Sequence, residues 1–252
     1  MMGRVSLVAH RGQPSTFPEN SLQGFTHALE SGARYVETDV QITSDAIPVL
    51  SHDAHLLKVT GKQIIVADHA FDAIRELPAG HAERFGDKYQ DYRIASLEAF
   101  IDLMSDWPDA ICFIELKEAA LNNFGMKAVD LVLAQLNRIH SQAVLISYDY
   151  DALAYARKKD AELRVGWVLP EWSDENRSMA QELEPDFLFV DDEFCPEEQS
   201  DIWPGEWQWV AYTINDKERV AHFAGLAIEI IETDRYSDLI RESDIIEVSN
   251  DF

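Results

Sequence analysis

The chain has 252 residues, 46% of them hydrophobic, so it is long and apolar enough for one large domain with a sizeable core, and wholesale disorder is excluded. Its formal net charge of −25 repels nucleic acid and anionic lipid at long range, so neither nucleic-acid binding nor stable membrane association is expected. The two cysteines, Cys112 and Cys195, form no CxxC pair, which excludes a disulfide framework and a thiolate metal site.

In chain order, short apolar runs at 5–10, 35–39, 111–115, 144–147, 163–168, 187–190, 208–213 and 228–231 read as eight strands. The first is too short for a signal-peptide core, and no run approaches the ~20 apolar residues that span a bilayer. A cytoplasmic location is the simplest expectation. Asn20 and Ser21 stand as helix caps before Leu22, Phe25 and Leu29. Leu97, Phe100, Ile101 and Met104 keep helical spacing, as do Val129, Val132, Leu133 and Leu136. Strands alternating with helices at this length predict an α/β fold, a (β/α)8 TIM-type barrel.

One run breaks the alternation. Residues 47–51 follow strand 2 after only Thr43-Ser44-Asp45-Ala46, too few for a parallel crossover, so an antiparallel hairpin is expected there. Its return leg would bring His52 and Asp53 to the mouth of the barrel, where barrel active sites lie. Residues 54–95 then read as a small insertion capping that mouth, within a single domain over 1–252.

Several strand ends carry polar residues. His10-Arg11-Gly12 closes strand 1, pairing an imidazole with a guanidinium able to hold an oxyanion bidentately. Glu37 and Asp39 share one face of strand 2, and Glu115 closes strand 3 with Lys117 two residues on. Glu37, Asp39 and Glu115 form an oxygen-only set suited to one hard divalent cation, Mg2+ or Ca2+. Two histidines, His10 and His52, fit acid–base cleavage of a phosphodiester, with Arg11 and Lys117 neutralising phosphate charge. An anion site in so acidic a chain needs local positive charge of this kind. Cys112 reads as a core residue, the segment 203–209 as an anchor for strand 7, and Glu171 and Trp172 as top-face residues near an alcohol group. The remaining histidines show no metal spacing.

The runs His10-Arg11-Gly12, Pro18-Glu19-Asn20-Ser21, Glu37-Thr38-Asp39-Val40, Pro48-Val49-Leu50-Ser51-His52-Asp53 and Glu115-Leu116-Lys117 resemble the signature of the glycerophosphodiester phosphodiesterase family, in its bacterial cytoplasmic type. Fainter matches follow at Ser147, Thr213-Ile214-Asn215 and Thr233-Asp234-Arg235. The resemblance implies hydrolysis of a small glycerophosphodiester to sn-glycerol 3-phosphate and an alcohol. It implies His10 and His52 as the acid–base pair, and Glu37, Asp39 and Glu115 as metal ligands. Arg11 and Lys117 would hold phosphate, and Asn20 would support the site by hydrogen bonding. Ala95-Ser96-Leu97-Glu98 departs from the family's Pro-Thr-Leu-Glu, and Tyr236 stands where Pro is common. Tyr212 stands where the family has Trp, which marks it as a candidate substrate contact. Two other readings are a lysophospholipase D-like or sphingomyelinase D-like enzyme, which needs an apolar rim, and a non-catalytic barrel that binds glycerol phosphate. The preferred alcohol and the oligomeric state have no sequence signature.

Overall fold

The computed structural model describes residues 5–242; residues 1–4 and 243–252, which the expected domain includes, lie outside the described residues. Nine strands appear: β1 (Ser6–His10), β2 (Tyr35–Ile42), β3 (Pro48–Leu50), β4 (Ile111–Leu116), β5 (Ala143–Ser147), β6 (Arg164–Val168), β7 (Phe187–Asp191), β8 (Gln208–Tyr212) and β9 (Ile230–Thr233). Their order is β1-β9-β8-β7-β6-β5-β4-β2-β3, and β1 also pairs with β2. That pairing closes eight parallel strands into a barrel and leaves β3 outside. β3 runs antiparallel to β2, with Val40 opposite Leu50 and Ile42 opposite Pro48, which is the expected hairpin. The chain therefore folds as a (β/α)8 barrel, with its helices around the strands as the sequence periodicity predicts.

Side-chain parity explains the two layers of the core. On β4, Phe113 packs in the barrel interior, while Cys112 and Ile114 belong to the outer layer beneath the helices. The same alternation puts Val8, Val144, Ile146, Val168, Phe187, Phe189, Val210 and Ile230 inside. Gly166 sits at an interior position of β6 because a methyl there would lie 2.8 Å from Ile146 Cγ2 and 3.0 Å from Phe189 Cε2. Cys112 is fully buried, and burial pushes its thiol up to about 12, consistent with an inert core residue.

Ser21 caps the helix Leu22–Glu30 by accepting from Gly24 N, a contact worth about 1 kcal/mol. Asn20, expected beside it as a second cap, instead turns into the barrel mouth. Residues 54–95 hold short helices at Leu57–Thr60, Phe71–Ile74 and Ala82–Phe85 over their own apolar cluster of Val49, Leu56, Val66, Ile74, Ala79 and Ile94. This segment packs on the loop after β1: Tyr89 Oη donates to Thr16 O at 2.6 Å, and Arg84 reaches Ser15 O. Among the described residues no helix is long and apolar enough to cross a membrane.

Candidate active site

The interior parity of each strand, carried one step past the apolar core, reaches the C-terminal mouth of the barrel. There it delivers His10 from β1, Glu37 and Asp39 from β2, Glu115 from β4, and Glu232 from β9. These strands are neighbours in the barrel, so His10, Glu37, Glu115 and Glu232 share one side of a cleft of about 630 Å³, with Asp39 fully buried beside Lys117. Arg11, Lys117 and His52 line the same cleft. His52 arrives on the β3 return leg, with its carbonyl held by Gln41 Nε2 at 3.1 Å.

Each of the two histidines has its Nδ1 committed to a carboxylate: His10 to Asp234 Oδ1 at 2.7 Å and His52 to Asp53 Oδ1 at 2.8 Å. A carboxylate at Nδ1 fixes the proton there and leaves Nε2 as the reactive nitrogen. His10 Nε2 lies 3.4 Å from Glu232 Oε1 and 3.8 Å from Glu37 Oε2. Asp234 is held below the usual carboxylate range: burial opposes this, but the His10 and Asn215 hydrogen bonds outweigh it. Asp53 is lowered in the same way, with its bond to His52 overcoming partial burial.

Glu37 and Asp39 are almost completely buried, at 2% and 0% exposure, yet their titration is pushed in opposite directions. Burial, Asp39 and Glu232 hold Glu37 well above the carboxylate range. Burial would raise Asp39 too, but Arg11, Lys117, His52 and the Asn20 amide together hold it far below. Arg11 Nε stands 3.0 Å from Asp39 Oδ2, and Lys117 Nζ stands 3.2 Å from Asp39 Oδ1 and 2.8 Å from Glu115 Oε1. The two contacts to Asp39 are charge contacts out of line for a hydrogen bond, and Asp39 Oδ1 and Arg11 Nε are left without one. Asn20 Nδ2 donates to Asp39 Oδ2 at 2.9 Å, while its Oδ1 accepts from Thr38 Oγ1 at 2.8 Å. Arg11 and Asn20 both take left-handed backbone, at φ 49° and 57°, which aims them into the mouth at a modest conformational cost.

Two sets of side chains bring ligand atoms within 4.8 Å of one another: Glu37, Asp39 and Glu115, and His10, Glu37 and Glu232. Within them Glu37 Oε1, Asp39 Oδ1 and Glu232 Oε2 are buried without a hydrogen-bond partner. Buried carboxylate oxygens are rarely left so. A divalent cation fits both the orphaned atoms and the charge, and the oxygen-only set suits a hard one.

All nine residues singled out in the sequence lie at this mouth. Tyr212 lines the far wall of the cleft, its hydroxyl 2.6 Å from that of Tyr148. Trp172 does not reach the cleft: its ring stacks on Trp203 at 4.1 Å and Trp209 at 5.2 Å in the outer core, and Glu171 is exposed and outside the cleft lining. The other described histidines lie outside the lining, and so does every residue of 54–95. Sequence reasoning overlooked Glu232 and Tyr148, and met Asp234 only within the fainter family match at 233–235, with no role given to it. Glu232 was legible, because it follows Ile230 with the same parity by which Glu115 follows Phe113.

The chain matches the sequence profile described as "Glycerophosphoryl diester phosphodiesterase family" over residues 10–237. A relative in Caldanaerobacter subterraneus, named "Glycerophosphodiester phosphodiesterase", is 26% identical over 94% of this chain and 97% of its own. A solved Oleispira antarctica phosphodiesterase, in complex with the product sn-glycerol-3-phosphate, superposes with a TM-score of 0.86 at 24% identity, covering 94% of this chain and 96% of that one. A Silicibacter pomeroyi structure described as a putative glycerophosphoryl diester phosphodiesterase gives 0.82 at 23%, covering 99% and 97%.

Proposed function

The chain belongs to the glycerophosphoryl diester phosphodiesterase family and is a phosphoric diester hydrolase of that class, and from this premise we propose a metal-dependent hydrolysis of glycerophosphodiesters with His10 and His52 as acid and base. The observation that carries the proposal is the matched pair of histidines. Both line one cleft, and each has Nδ1 held by its own aspartate. One Nε2 takes a proton from the attacking oxygen as the new O–P bond forms. The other gives a proton to the alcohol oxygen as its bond to phosphorus breaks, releasing sn-glycerol 3-phosphate and the alcohol.

Glu37, Asp39 and Glu115 would hold one divalent cation, Mg2+ or Ca2+, with Glu232 beside them. When bound, that cation supplies Lewis-acid neutralisation of phosphate charge. Arg11 and Lys117 add fixed positive charge where the rest of the chain is acidic, and their burial strengthens the effect on a phosphate. Both stay protonated: burial would lower them, but Asp39 and neighbouring carboxylates raise them. Asn20 orients Asp39. The same reading treats 1–252 as one phosphodiesterase domain with about 54–95 as a capping insertion, and assigns the enzyme to the cytoplasm.

His10→Ala and His52→Ala test this directly. Each is expected to reduce release of glycerol 3-phosphate from glycerophosphodiesters by about 10²–10⁴-fold with folding and cation binding kept. Activity within a few-fold of the parent in either variant would remove that histidine from the chemistry.

A further inference from the structure

The cleft has a second side that the reaction above does not use. The metal-binding carboxylates, Arg11, Lys117 and His10 come from β9, β1, β2 and β4. The opposite arc is built by β5 to β8, which are consecutive in the barrel. Ile146 and Phe189 form an apolar floor there, and Asp191, Tyr148 and Tyr212 stand above it. Asp191 has the interior parity of Phe187 and Phe189 on β7 and pairs across to Tyr212 on β8.

Asp191 has an unusual setting. Its Oδ1 accepts from Glu193 N at 2.8 Å, but among the described residues no Lys, Arg or His forms an ion pair with it. The nearby Arg219 is engaged by Asp192 and Glu197 instead. A carboxylate facing the pocket opposes an anionic substrate, unless the substrate carries a cation on that side. Tyr148 and Tyr212 join hydroxyl to hydroxyl at 2.6 Å. That bond ties the two rings together and uses much of their hydrogen-bonding capacity on each other. Burial raises both phenols above their usual range, and the Asp191 charge adds to this, so they stay neutral. An apolar floor, two tethered aromatic rings and one unpaired carboxylate are what a weakly hydrated organic cation requires, through cation–π attraction and charge neutralisation. They offer little to a polyol, whose hydroxyls need several free donors and acceptors.

We propose that the β5–β8 side of the cleft is a subsite for a positively charged leaving alcohol of the ammonium or quaternary ammonium class, with Asp191 as its counter-ion and the Tyr148–Tyr212 pair as its wall. The inference rests on the phosphodiesterase reading and refines it: the phosphate lies on the cationic side, and the alcohol's cation points to Asp191. Glycerophosphocholine and glycerophosphoethanolamine are then preferred over glycerophosphoglycerol and glycerophosphoinositol.

The test measures kcat/KM of the full chain, loaded with its divalent cation, on these four substrates. The readout is the ratio of the choline substrate to the glycerol substrate, which a general loss of activity does not move. In the parent enzyme the ratio is expected well above one. Asp191→Asn should lower it roughly five- to tenfold, the scale of one partly desolvated cation contact. Tyr148→Leu should lower it similarly, and Tyr148→Phe, which keeps the ring, should restore it. A parent ratio near one, or a ratio unchanged by Asp191→Asn, overturns the subsite while leaving the phosphodiesterase reading intact. No release from any of the four substrates overturns both.

Discussion

Asp234→Asn changes one atom and should nearly silence the enzyme, because the neighbouring amide dictates which way the new side chain turns. Asn215 Oδ1 accepts from Asp234 N at 2.9 Å and from Thr233 Oγ1 at 2.9 Å. Those donors fix the Asn215 amide, so its Nδ2 faces Asp234 Oδ2 at 3.2 Å. An asparagine at 234 must offer its oxygen to that N–H, which turns its own NH2 toward His10 Nδ1, now 2.7 Å from Asp234 Oδ1. His10 Nδ1 then has to accept, the ring proton moves to Nε2, and the ring can neither take up a proton there as a base nor carry the second proton that an acid gives away. Losing one positioned acid–base group lowers kcat by about 10²–10⁴-fold, and wrong-tautomer locking belongs at the severe end. Asp234→Ala leaves the ring free to adopt either tautomer, so the smaller side chain should retain more activity than the isosteric one. Steady-state release of glycerol 3-phosphate by the two variants, with KM and cation affinity measured alongside, provides the assay. An asparagine variant that matches or exceeds the alanine variant would refute the tautomer argument.

Cation binding should be linked to pH with a definite sign. Glu232, beside the cation site, is raised from 4.5 to about 7 by burial, and the ligand Glu37 is raised well above the usual carboxylate range, so protons must leave this cluster as the cation binds. Cation affinity is expected to fall as pH drops through about 7, with protons released on binding, and calorimetry in buffers of different ionisation heat checks this. Protonated Glu232 stabilises the cation-free fold fully only below about pH 4.5, a contribution lost as pH rises through about 7. Added cation should therefore raise Tm more at about pH 8 than at about pH 6, and an equal rise at both would contradict the linkage. In the barrel interior, Phe113 is fully buried among Tyr35, Phe187 and Phe189, with ring centroids at 5.9, 5.0 and 5.1 Å. Phe113→Ala should destabilise the protein by about 3–5 kcal/mol in urea unfolding; a loss below about 1 kcal/mol would mean the interior collapses around the gap.

Most of the barrel was written in local pattern. Eight apolar runs matched eight barrel strands, and the short link at 43–46 forced β3 to fold back and bring His52 to the mouth. The side of the cleft that carries the proposed catalytic set was legible because its residues come in runs, such as His10-Arg11 and Glu37-Thr38-Asp39. What escaped was set by contacts between distant segments. Asp234 meets His10 across 224 positions, and no local spacing announces the pair. Tyr148 meets Tyr212 only once β5 and β8 face one another over the cleft. Trp172 read as a top-face residue because it follows β6, but Trp203 and Trp209 offered its ring a stacked apolar contact beneath the helices. Asn20 looked like a cap beside Ser21, yet one cap suffices for the helix, and the buried Asp39 needed the amide more.

The most direct test of the account is release of glycerol 3-phosphate from glycerophosphocholine by the full chain stripped with EDTA and then returned to Mg2+ or to Ca2+. His10→Ala and Glu37→Gln run beside it. The account predicts that stripping abolishes release and that one of the two cations restores it. It also predicts that His10→Ala still binds the cation but stays silent, and that Glu37→Gln responds only at much higher cation concentration. Release that persists in EDTA, or that survives His10→Ala with its cation bound, would contradict it.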